Sequence, residues 1–365
     1  MSDYTEISCL YDKEILVYGA GSVAESVLSY LRAMPERIRL LGIALTEVEN
    51  EQTYQDTGLK IRSIHKWAGE CPYATILIAT SDTYHDEIVQ ICQAEGFKMI
   101  VPVSADLKSS ITCAFFKEYL TEKGVDLTGR YMRLGQALYL NPLRISQRNS
   151  ANIFGQLRDI VFPHLYDDWT LLGEGPYDPD GLLELTEGSV VLDCGANFGT
   201  FSAYAASKRC CCYAFEPTPE LQPILQEYTS IYPNRITPVE AALSNQDGTA
   251  ALHLSSYSCG ANSLLDRVRS ERDIMVSTTT VDSFVKKHRL VSVDFIKADI
   301  EGAERLMLEG ARNTLAVFAP KLSLCTYHLP DDKEVLTELI LKANPNYQIS
   351  YRWEKLYAYV PENNV

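Results

Sequence analysis

Val190-Val191-Leu192-Asp193-Cys194-Gly195-Ala196-Asn197-Phe198-Gly199-Thr200-Phe201-Ser202 decides the fold. Val190 to Leu192 is the short apolar run of a buried parallel strand. Gly195 and Gly199 permit a tight turn and a close backbone approach that a Cβ would block. A helix opening near Gly199 aims unpaired N–H groups at whatever lies in front of it. Asp193, at the strand's end, can steer the turn or accept a hydrogen bond from a cationic amine. Any doubly wound sheet can own such a turn, so its meaning depends on what surrounds it.

Downstream, strand and helix patterns alternate. A second strand ends at Phe215-Glu216-Pro217, a helix covers 219–228, and a third strand covers 236–242. An extra strand is expected at 250–255 and a short helix at 282–288. The fourth strand, 293–297, delivers Asp299 at its carboxyl end. The fifth covers 322–327 and is followed by a helix over 334–343. Stretches 347–351 and 356–360 flank Trp353-Glu354-Lys355 as a terminal hairpin.

Upstream, residues 13–104 repeat the alternation on a smaller scale. Strands are expected at 14–18, 39–45, 75–80 and 97–103, with helices from Gly21 toward Met34 and over 84–95. Gly19-Ala20-Gly21-Ser22-Val23-Ala24 fits the dinucleotide fingerprint, with Ala24 in the third glycine's place. The acid expected after the second strand is poorly supplied, because Glu47 comes late. Gly19, Gly21 and Ala24 thus form a weak second nucleotide site, weighed against a purely structural or dimerising role. Tyr119 and Lys123 spell the catalytic pair of short-chain dehydrogenases, but no serine partner accompanies them and chance explains the match. Residues 105–170 read as a mostly helical linker, amphipathic over 113–122, 131–139 and 153–165. The expected architecture is α/β: two doubly wound sheets, divided as 1–104, 105–170 and 171–365.

Composition narrows the function. Forty-eight acidic against 33 basic residues give a net charge of −15, which repels phosphate backbones and argues against nucleic acid. No run of eighteen apolar residues is present, and the acidic start is unlike a signal peptide, so neither a membrane partner nor export is expected. The ten cysteines include no Cys-x-x-Cys pair. Neighbours such as Cys210, Cys211 and Cys212 in one strand point to opposite faces, so reduced thiols in a cytoplasmic protein fit best.

The second half resembles the FkbM family of class I S-adenosylmethionine-dependent methyltransferases. The matching pieces run in family order: Glu174-Gly175-Pro176-Tyr177, the turn from Asp193 to Gly199, Phe215-Glu216-Pro217, Glu240-Ala241-Ala242-Leu243-Ser244, Thr280-Val281-Asp282-Ser283-Phe284, and Lys297-Ala298-Asp299-Ile300-Glu301-Gly302-Ala303-Glu304. They cover roughly residues 170–360. Cys194 departs from the family's usual aliphatic residue. The terminal hairpin is similar to the antiparallel pair of the methyltransferase sheet.

The resemblance implies S-adenosylmethionine as cofactor and a hydroxyl of a small molecule, a sugar or secondary metabolite, as acceptor. The methionine end would lie on Gly195, Asn197 and Gly199 beside Asp193. Glu216 would accept the ribose hydroxyls, Ala241 and Ala242 would border the adenine, and Glu174 and Tyr177 would close the pocket. A base must take the acceptor's proton; the candidates are Asp299, Glu301 and His328. Glu304, three residues after Glu301 at a helix start, is equally well explained by the helix dipole. A divalent cation on Asp299, Glu301 and His328 is the minor alternative to a metal-free site. Two other functions stay open: an inactive nucleotide-binding scaffold for assembly, and a bifunctional NAD(P)-binding methyltransferase. A homo-oligomer stays open too.

Overall fold

The structure, a computed structural model, describes residues 5–54, 57–162, 175–177, 183–255, 259–266 and 270–361. The chain forms two compact units. Of the described residues, one unit takes those up to Leu127 and Pro142–Phe154; the other takes Thr128–Asn141, 155–162 and 175 onward. The stretch 105–170 is therefore shared between the units.

The first unit carries β1 (Glu14–Tyr18), β2 (Arg39–Leu45), β3 (Gln52–Thr53), β4 (Lys60–Ser63), β5 (Thr75–Ile78) and β6 (Ile100–Pro102). They form a six-stranded sheet in the order β3-β4-β2-β1-β5-β6, parallel except for β3. Its helices are α1 (Ser22–Arg32), α2 (Ile64–Glu70), α3 (His85–Ala94) and α4 (Ala105–Glu122). Leu16 and Tyr18 of β1 pack with Trp67 of α2 and Val89 of α3, while Ile15 and Val17, equally buried, point to the opposite face. Sequence reading missed β3, β4 and α2. Trp67 ties the last of these down by donating its indole N–H to Ile43 O at 2.9 Å.

The stretch 131–139, expected as helix, is a hairpin of β7 (Tyr131–Leu134) and β8 (Ala137–Leu140). The physical reason is local. Gly135 sits at φ +58°, and Met132 and Leu134 are buried on either side of an exposed Arg133, a period of two that a helix cannot use. Tyr228 and Tyr232 accept the N–H groups of Leu140 and Leu138 at 2.9 and 2.6 Å. After the hairpin comes α5 (Gln147–Val161), which contributes to both units.

The second unit alternates β9 (Val190–Cys194), α6 (Thr200–Ser207), β10 (Cys211–Phe215), α7 (Gln222–Ile231) and β11 (Ile236–Val239). Next come β12 (Ala242–Leu243), β13 (Gly248–Ser255), β14 (Ser270–Thr279), α8 (Val281–His288) and β15 (Phe295–Ala298). The chain closes with α9 (Glu304–Glu309), α10 (Arg312–Phe318), β16 (Lys321–Cys325), α11 (Asp332–Ala343), β17 (Gln348–Arg352) and β18 (Lys355–Tyr359).

Seven strands make one sheet in the order β11-β10-β9-β15-β16-β18-β17, with β18 antiparallel to both neighbours. The order reverses at β9 and β15, and in such sheets ligands lie outside the carboxyl ends of the strands at that reversal. The expected doubly wound α/β class holds. A separate three-stranded sheet, β12-β14-β13, stands beside it; only β13 was foreseen. Among the described residues, no helix is long and apolar enough to cross a membrane.

Candidate functional site

The glycine turn after β9 is shaped by close packing. Gly195 has φ +78°, and a Cβ there would lie 2.0 Å from Asp299 O. Gly199 has φ +73° and caps α6; a Cβ on it would lie 2.8 Å from Leu225 Cδ2. Both glycines are thus demanded by geometry. Asn197 between them also takes a positive φ, 50°, which asparagine tolerates better than most residues.

Beneath the turn lies a buried ion pair. Lys297 Nζ is 3.2 Å from Asp193 Oδ1, with side-chain exposures of 5% and 0%. The ammonium also donates to Gly195 O at 2.6 Å and Cys194 O at 3.3 Å. Asp193 Oδ2 accepts the Ser202 hydroxyl at 2.6 Å. Burial alone would lower the Lys297 pKa, but Asp193 and Asp299 outweigh it and raise it. Asp193 therefore meets its cationic amine inside the chain, and it supports the turn from below instead of lining the cleft. Nothing in the sequence marks Lys297 beyond its place at the head of the stretch 297–304.

Beyond the turn is a cleft partly open to solvent. Gly195, Asn197, Glu216, Ala241, Ala242, Asp299 and Glu301 line it, so most of the expected cofactor and acid–base residues meet there. Leu252, Asn262 and Leu264, from or next to the three-stranded sheet, complete its wall. Glu216 is 6% exposed. Its Oε2 accepts the Asn197 N–H and its Oε1 the Thr218 N–H, each at 2.9 Å. Burial raises its pKa, and these bonds oppose the shift. The Thr218 side chain bonds the carboxylate as well, which still leaves it acceptor capacity for a further donor.

At the other end of the cleft, β15 delivers Asp299. Tyr177 donates its hydroxyl to Asp299 Oδ2 at 3.1 Å. The Tyr177 ring is 4% exposed and sits over two ammonium groups, Lys355 at 4.3 Å and Lys297 at 5.4 Å. It is packed into the floor and is not among the lining residues. Glu174 lies outside the described residues. Glu301 has φ +55°, a conformation costly for its residue type that recurs at functional sites.

His328 follows β16 and has no exposed side-chain surface. Its Nδ1 is 3.1 Å from Glu304 Oε1, and its Nε2 is 3.5 Å from Glu301 Oε2 and 3.6 Å from Asp299 Oδ1. Burial would lower its pKa, but the Glu304 contact, then the charges of Asp299 and Glu301, push it up to about 9. Glu304 is fully buried; its Oε1 accepts the Ile300 N–H at 2.8 Å. Glu304 also opens α9, so its carboxylate lies at that helix's N-terminus.

The amino-terminal turn is built differently. Gly19, at φ +121°, is required because a Cβ would lie 2.7 Å from Ala79 O, whereas nothing stands within 4 Å of a Cβ on Gly21. Ala24 is fully buried and Glu47 is exposed. Lys123 Nζ lies over the Tyr119 ring at 5.6 Å, an ordinary contact one helical turn apart.

Residues 193–349 match the family model of the methyltransferase FkbM domain. A hexuronic acid methyltransferase of Haloferax volcanii, AglP, is 25% identical over 169 residues, 46% of this chain and 68% of its own length. The crystal structure of methyltransferase FkbM from Methylobacillus flagellatus KT is 18% identical, covering 98% of this chain and 93% of that one at a TM-score of 0.43. Aeropyrum pernix fibrillarin, solved with natively bound S-adenosyl-L-methionine, is 15% identical, covering 49% of this chain and 70% of that one at a TM-score of 0.31.

Proposed function

We propose, on the premise that residues 193–349 carry a methyltransferase FkbM domain, that the chain moves a methyl group from S-adenosylmethionine to a hydroxyl of a sugar or related small molecule. The observation that carries this reading is the cleft itself. A buried carboxylate, Glu216, stands at one end and two partly exposed ones, Asp299 and Glu301, at the other, with the glycine turn between.

The donor set fits the cofactor. Glu216 keeps acceptor capacity for a ribose hydroxyl, Ala241, Ala242 and Leu252 give an apolar slot for adenine, and the turn offers backbone groups to the amino acid end. S-adenosylmethionine, when bound, supplies an electrophilic methyl on a positively charged sulfur. The chain's own task is to align an acceptor oxygen with that methyl, which orientation alone can favour by roughly 7–11 kcal/mol. It must also accept the hydroxyl's proton. Asp299 and Glu301, at 23% and 17% side-chain exposure, face the cleft and can take it. His328, wholly enclosed behind them, acts on their position instead of meeting the acceptor.

The sugar class finds support in AglP, whose name gives hexuronic acid as its substrate. Calorimetric titration with S-adenosylmethionine tests the main reading. Saturable one-to-one binding, abolished in Glu216→Ala, is expected; a well-folded chain that takes up none would leave an inactive scaffold as the better account.

A further inference from the structure

Asp299, Glu304 and His328 offer one oxygen each and one ring nitrogen, all within 4.8 Å of one another. Two of the three are sealed from solvent: Glu304 and His328 have no exposed side-chain surface. Glu304 Oε2 is buried without a hydrogen bond, and neither His328 nitrogen makes one of good geometry. A buried carboxylate oxygen left unpaired is costly, more so when charged, so such an atom calls for a partner. Ligands of one ion at about 2.1 Å stand about 3.0–4.2 Å apart; His328 meets Glu304 through Nδ1 at 3.1 Å and Asp299 through Nε2 at 3.6 Å, and one ion takes only one of these nitrogens. With one atom from each residue the set spans up to 4.8 Å, so the side chains must draw together to close on an ion.

We propose that Asp299, Glu304 and His328 form a binding site for one first-row divalent cation at the acceptor end of the cleft. The one-imidazole, two-carboxylate set suits manganese, iron or zinc better than magnesium, which prefers all-oxygen shells. The ion replaces the proton that the same carboxylates otherwise hold on the ring. Because Asp299 lines the cleft, the ion stands where it can polarise an acceptor hydroxyl. Glu301, 3.5 Å from His328 and outside the set, remains to take the hydroxyl's proton. This role rests on the methyltransfer reading; the binding itself does not.

The test uses the full chain, stripped with chelator and titrated with manganese chloride, the free ion being read by electron paramagnetic resonance. One manganese per chain is expected at micromolar free ion, weakened at least tenfold in Glu304→Gln and in Asp299→Asn. Asp299→Asn changes a partly exposed side chain, so it stays informative if the buried Glu304→Gln chain does not fold. Calorimetry with S-adenosylmethionine on the same samples separates the two proposals. Manganese uptake without cofactor binding would support the cation site and remove the methyl-transfer reading. Cofactor binding with no manganese uptake below millimolar, or uptake unchanged in both variants, would overturn the cation site.

Discussion

At the scale of the residue, the cleft depends on a few atoms. Glu216→Gln puts an amide where an acceptor-only group now receives two N–H donors, so S-adenosylmethionine affinity should fall by roughly 10–100-fold, the loss of one or two charge-assisted hydrogen bonds. Calorimetry reads the affinity, and an unchanged melting temperature would show that the fold survived. Gly195→Ala should do the opposite kind of damage. Its methyl would have to occupy space 2.0 Å from Asp299 O, so urea denaturation should show more than about 4 kcal/mol lost. Part of the lining was legible in the chain, because the turn, Glu216 and Asp299 each stand at the end of an apolar run; Leu252, Asn262 and Leu264 were not. Neither were Glu304 and Lys297: their roles depend on distances to Ile300, His328 and Gly195 that no spacing rule contains.

At the scale of the element, the Lys297–Asp193 pair ties β9 to β15 at the point where strand order reverses. Removing one charge strands the other without water. Lys297→Met should therefore cost about 3–5 kcal/mol by denaturant titration, and Lys297→Met with Asp193→Leu should recover part of that loss. The three-stranded sheet has a different role, as a wall. Leu252→Ala, deleting a side chain that is 2% exposed and packed with Ala242 and Val276, should weaken cofactor binding several-fold and cost about 2–5 kcal/mol. A calorimetric affinity equal to that of the unaltered chain would show that this sheet does not border the adenine. Strands buried on both faces could be read from their continuous apolar runs. The hairpin at 131–140 escaped because its alternation is short, and β14 because its exposed Met275 and charged start hide a half-buried strand.

At the scale of the whole molecule, the two units interleave along the chain. Phe154 is stacked on Phe116 at 4.9 Å and 4°, both fully buried, so the first unit is finished by a helix that follows the hairpin of the second. A chain ending at Leu127 should therefore melt without a cooperative transition, as followed by near-ultraviolet circular dichroism; a sharp transition would show that the sheet alone suffices. Native mass spectrometry of the intact protein would reveal whether the first unit retains a nucleotide. A boundary at 104 and a helical linker were the natural reading of composition. Nothing in the sequence shows that a phenylalanine within that linker completes an earlier core.

That stacking also sets an order of events during synthesis. The ribosome must add 38 residues after Phe116 before Phe154 exists, a delay of about 2–8 s at bacterial-to-eukaryotic elongation speeds of roughly 5–20 residues per second. Until Phe154 is in place, the Phe116 ring has Tyr30 at 6.1 Å as a neighbour but lacks the stacked ring that completes its cover.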